Sequence, residues 1–66
     1  MMKYIVLVWG GEERIERRFE SNCRDSKRHI IEQNADYCEV YDQDFRILSA
    51  ATRWSNGQIT NVFPHV

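Results

Sequence analysis

A chain of 66 residues with a net charge of −1 has room for one hydrophobic core and no second domain. Its 42% apolar content excludes a disordered chain, and its near-neutral charge excludes bulk electrostatic attraction to nucleic acid. The apolar run at 4–9 is too short to span a membrane or form a signal-peptide core, so a cytoplasmic domain is expected.

Residues 2–9 form a β-branched and aromatic run bounded by Gly10-Gly11, which predicts a strand. Tyr4, Val6 and Val8 share one face of it, and Ile5, Leu7 and Trp9 the other, as in a central strand. Gly10-Gly11 suits a tight hairpin that returns the chain as a second strand, with Ile15, Arg17 and Phe19 on one face. The rival is a helix from Glu12 with Ile15 and Phe19 one turn apart. The strand is preferred because so short a helix would not persist.

The clearest helix start follows. Asn22 is a good N-cap, Asp25 stands three residues on, and 23–33 carries a narrow stripe of Cys23, Ile30, Ile31 and the Lys27 stem. Asn34 can take the left-handed conformation that closes a helix.

Residues 37–63 read as three strands and two turns. Asn56-Gly57 suits a type I′ hairpin pairing Trp54 with Ile59, Thr52 with Asn61 and Ala50 with Phe63. The earlier turn, at 42–45, has two registers. A three-residue loop with a bulge sets Val40 opposite Leu48 and Cys38 opposite Ala50; a two-residue loop pairs Val40 with Ile47. The first is chosen because it alone collects Cys38, Val40, Leu48, Ala50, Trp54, Ile59 and Phe63 on one core face. It places Phe45 where the backbone usually wants glycine, which suggests either another turn or an aromatic held at a loop tip for contact. The opposite face then carries Tyr37, Glu39, Tyr41, Ile47, Ser49, Ala51, Arg53, Thr60 and Val62, a composition found at interfaces and also on ordinary half-wet sheets.

Catalytic chemistry finds little support. Gly10-Gly11 lacks the further glycines and lysine of a phosphate loop. Cys23, Cys38, His29 and His65 contain no close pair with metal-ligand spacing, so no metal or cofactor is expected. A Cys23–Cys38 disulfide requires both thiols in the core; the ordinary reading is two buried hydrophobes. His29, among Lys27, Arg28 and Glu32, reads as a solvated helix residue, and Asp42 and Asp44 as turn residues bonding their own backbone. With no acid/base pair to bury and tune, an enzyme is not expected.

Charge is uneven along the chain. Arg14, Arg17, Arg18, Arg24, Lys27 and Arg28 cluster among fewer acids, whereas Glu32, Asp36, Glu39, Asp42 and Asp44 occupy a stretch without Lys or Arg. The bland reading is a self-neutralising surface. The sharper ones are phosphate tracking by the 14–28 stretch, with Tyr37, Tyr41 or Phe45 stacking on bases, and mimicry of phosphates by the acids.

From Phe19 onward the layout resembles small phage and mobile-element proteins with a ββαββ outline. The likeness rests on Phe19-Glu-Ser, the helix 24–33, the run Tyr37-Cys-Glu-Val-Tyr-Asp-Gln-Asp-Phe, and the hairpin 47–57. Some of those proteins are anti-CRISPR inhibitors that act by binding alone. The expected fold is α+β: an antiparallel sheet of four to five strands with one helix on one face, in ββαβββ order. The expected function is a non-catalytic protein-binding module, of which a phage-type inhibitor is the version the resemblance implies. Tyr37, Tyr41, Phe45 and Arg53 would anchor a protein partner, with Arg17, Arg18, Arg24 and Arg28 steering it. A nucleic-acid binder using 14–28, and a homodimer through the same sheet face, are the alternatives.

Overall fold

The computed structural model describes residues 2–20 and 25–64. Strands β1 (Lys3–Trp9) and β2 (Arg14–Glu20) form a hairpin, helix α1 (Ser26–Gln33) follows, and β3 (Tyr37–Tyr41), β4 (Ile47–Arg53) and β5 (Ile59–Phe63) complete one antiparallel sheet of order β2-β1-β3-β4-β5. This is the expected ββαβββ arrangement, with α1 packed across β3, β4 and β5 on one face.

β1 is interior, as its doubly apolar pattern predicts. Of its apolar residues Ile5, Leu7 and Trp9 face the helix layer, where they join Ile30, Ala35, Cys38, Val40 and Ala51 in a single core. The stretch expected to be strand or helix is strand from Arg14 on, with no α-helix at 12–19. The loop before it differs from the tight hairpin: Gly10–Glu12 make a 3₁₀ turn, and Glu13, not a glycine, takes the left-handed conformation at φ 52°. The Gly10 N–H donates to Asp36 Oδ2 at 2.8 Å, which ties this loop to the start of β3.

The helix begins later than expected. Its N-cap is Asp25, whose carboxylate accepts the Lys27 N–H at 3.1 Å. Asn22, Cys23 and Arg24 lie outside the described residues, as does His65, so the cap, disulfide and steering roles expected of them find no test there. The first helical N–H, on Ser26, has no partner inside the helix. The sheet supplies one, because Ser49 Oγ on β4 accepts it at 3.2 Å and also hydrogen-bonds Ser26 Oγ. At the other end Asn34 is left-handed at φ 53°, and the Ala35 N–H reaches back to the Ile30 carbonyl. His29 is not solvated but 3% exposed, with no hydrogen-bond partner for Nε2 among the described residues. Burial lowers its pKa; Glu20 opposes that, Arg18 adds to it, and Glu32 and Asp25 oppose it.

The turn before β4 has the form chosen from sequence. Phe45 N–H donates to the Asp42 carbonyl, Asp42 N–H to the Arg46 carbonyl, and Phe45 sits at φ 59°. That loop sets Tyr41 opposite Ile47, but a bulge then skips Leu48, so Val40 faces Ser49 and Cys38 faces Ala51. The extra residue exchanges the faces of β4 relative to expectation. Ser49 and Ala51 turn into the core, whereas Leu48 and Ala50 do not join it. The last turn also departs from type I′: only Gly57 is left-handed, the Gly57 N–H donates to the Trp54 carbonyl, and Arg53, not Trp54, meets Ile59. A second bulge restores the Ala50–Phe63 pairing. Trp54 and Phe63, placed in the core by the sequence, are exposed at 53% and 39%.

Candidate interaction surface

The sheet face away from α1 carries the side chains opposite the core set, and the register arranges them in rows across the strands. One row runs Phe19–Tyr4–Tyr41–Ile47, the next Arg17–Val6–Glu39–Ala50–Phe63, and the third Ile15–Val8–Tyr37–Thr52–Thr60. Antiparallel pairing with β1 in the middle brings β2 and β3 onto the same surface although they lie far apart in the chain.

The first row is aromatic. The Tyr4 ring is 5.2 Å from that of Phe19, 6.3 Å from Tyr41 and 5.6 Å from Phe45, all tilted or edge-on, the geometry aromatic quadrupoles favour. Phe19 and Phe45 stay 56% and 63% exposed, and Ile15 extends the apolar surface along β2. Phe45 reaches this cluster only because its backbone takes the left-handed turn, so the loop geometry and the ring contact are one feature.

Glu39 marks the centre of the second row. Alternation along β3 puts Tyr37, Glu39 and Tyr41 on the same side, and both phenols turn toward the carboxylate between them. Tyr37 donates to Oε2 at 2.5 Å and Tyr41 to Oε1 at 2.9 Å. Burial, and then this hydrogen bond, raises the Tyr37 pKa; for Tyr41 the hydrogen bond comes first and burial second. Both phenols remain protonated donors at neutral pH, which holds the three side chains in one fixed array. Arg17, two strands away at about 10 Å, is exposed and forms no ion pair among the described residues.

Of the expected contact residues, Tyr37, Tyr41, Phe45 and Arg17 share this face. Arg53 does not. The bulge turns it to the helix side, where Nε donates to the Ala35 carbonyl at 3.1 Å and lies 3.9 Å from Asp36 Oδ1. Arg18 also faces the helix side, in an ion-pair ladder running Glu12–Arg14–Glu16–Arg18–Glu20 along one side of β2. Arg14 in that ladder also stands 4.0 Å over the Trp9 ring. Arg28 pairs with Glu32 one turn on along the helix. The basic stretch is therefore divided between surfaces, and so are the acids: Asp42 accepts from Asp44 and Arg46 within its own turn, while Asp36 holds the Gly10 loop. Tyr4 and Phe19 were absent from the expected contact set, yet they join Tyr41 and Phe45 in the aromatic cluster.

No cavity opens among the described residues, and no cluster of His, Cys, Asp and Glu there has the makings of a metal site. No described helix is long and apolar enough to cross a membrane. Compared with protein-family models, curated proteins and solved structures, the chain matches none.

Proposed function

We propose that this protein is a non-catalytic binding module that engages a protein partner through the sheet face opposite α1. The contiguous Tyr4–Phe19–Tyr41–Phe45 cluster carries the reading: large rigid rings, half exposed, on a face its own helix leaves uncovered. Aromatic groups of this kind supply most of the energy at protein interfaces, at low entropic cost. Glu39 and Arg17 provide opposite charges at fixed positions within the patch and so give it orientation. The phage-type inhibitor remains the specific form that the layout resemblance implies.

The test compares proteins captured from host lysate by the wild-type chain, by Phe19→Asp/Phe45→Asp, and by Ile31→Asp, whose exposed side chain is on the helix. A partner retained by wild type and Ile31→Asp but lost by the double variant supports the reading. A partner retained equally by all three, or lost only with Ile31→Asp, refutes it.

A further inference from the structure

We propose that the outer edge of β2, which pairs with no other strand among the described residues, pairs with the β2 edge of a second copy, antiparallel and centred on Arg17, joining two sheets into one. This inference rests on the backbone edge of the sheet; it shares Phe19 and Arg17 with the proposed partner-binding face but does not depend on that reading. The two ends of the sheet are unlike. β5 is short and runs into Pro64, which has no N–H to offer a neighbour, whereas β2 presents seven consecutive residues without a proline.

The charges on β2 then select one register. Arg14, Glu16, Arg18 and Glu20 alternate in sign along the helix side of the strand, each half exposed. Antiparallel pairing about Arg17 sets Arg14 opposite the second copy's Glu20 and Glu16 opposite its Arg18, so every charged pair on that side is of opposite sign. Sliding either strand by two residues makes every such pair like-charged: Arg14 meets Arg18 and Glu16 meets itself, or Glu16 meets Glu20 and Arg18 meets itself. Sliding by one sets the aromatic side against the charged side. On the open face the same register brings Ile15 against Phe19, so both exposed apolar groups of the edge are covered and the aromatic patches of the two copies become continuous. The single unfavourable meeting is Arg17 with its own symmetry mate at the two-fold axis. It keeps the association weak. The axis is normal to the sheet, so both α1 helices lie on one side, each packed over its own β3–β5.

Sedimentation equilibrium over a concentration series tests this. Arg18→Glu places Glu against Glu16 in both halves of the junction and Glu16→Arg places Arg against Arg18. Each variant alone is expected to raise the dimer Kd about tenfold or more. Mixed in equal amounts, the two regain the wild-type charge pattern and associate as well as wild type does, which also shows that both are folded. Arg17→Thr removes the repulsion at the axis and is expected to lower Kd several-fold, a change that damage to the fold cannot imitate. A wild-type chain that stays monomeric together with Arg17→Thr at every concentration overturns the proposal. So does a mixture of Arg18→Glu and Glu16→Arg that associates no better than either variant alone.

Discussion

Replacing Phe45 with glycine separates what its ring does for the fold from what it does on the surface. The backbone there stands at φ 59°, a conformation costing a side-chain-bearing residue about 1–2 kcal/mol. Glycine removes that cost. Against it stands the edge contact with Tyr4, 5.6 Å between centroids, worth about 0.5–1.5 kcal/mol. Glycine also brings about 0.5–1 kcal/mol of extra entropy to the unfolded chain. These terms nearly cancel, leaving the variant within about 1 kcal/mol of wild type, a small effect beside the roughly 2–5 kcal/mol expected of Leu7→Ala in the core. Urea unfolding followed by the fluorescence of Trp9 and Trp54 reads the difference. If the ring serves contact, partner binding falls about tenfold or more while the urea midpoint barely moves. A stability loss above about 2 kcal/mol, or unchanged binding, would refute this account of a strained aromatic at a loop tip.

Three further outcomes follow from the geometry. Ser49→Ala strands the buried Ser26 N–H and hydroxyl where helix meets sheet, and urea unfolding is expected to show a loss of about 1–3 kcal/mol. Tyr37 and Tyr41 both have phenol pKa values raised above the ordinary 10.0, so their contribution to stability is complete below that pH and is lost as pH climbs through the folded-state values. Tyr37→Phe should flatten the decline of the urea midpoint above about pH 10; an unchanged slope would count against the clamp on Glu39. His29 behaves in the opposite sense. Its folded pKa is below 6.5, so its contribution is present above that pH and disappears as pH falls through the lowered value, and His29→Leu should remove this part of the acid loss. Equal acid sensitivity in variant and wild type would show that burial of His29 carries none of it.

Local chemistry made much of this molecule legible. The apolar run of β1 and the left-handed closure at Asn34 follow from residue type and short-range sterics, and the structure holds both. The three-residue loop with Phe45 at its strained position is also present, although the core face that argues for it from sequence does not form. The side assignments of β3 were also readable, because Tyr37, Glu39 and Tyr41 alternate with Cys38 and Val40 without interruption. What failed was phase. The bulge at Leu48 leaves no turn residue to announce it, yet it exchanges Leu48 and Ala50 for Ser49 and Ala51 in the core and sends Arg53 to the helix side. Tyr4 and Phe19 were missed for another reason. Alternation already set Phe19 beside Arg17 and Ile15, but only the position of β1 between β2 and β3 reveals that this side adjoins the tyrosines of β3. Sheet order is a long-range property, and hydrophobic pattern alone does not encode it.

The irregularity at Leu48 also constrains how this chain can change over evolutionary time. Deleting that one residue would close the bulge while leaving Ser49 opposite Val40 and Arg53 on the helix side, so the ladder with β3 becomes regular and the serine that anchors the helix stays in place. Length in β4 is thus negotiable at this one place, whereas a single-codon loss further along, between Ser49 and Arg53, would turn the rest of the strand over and send Arg53 to the open face.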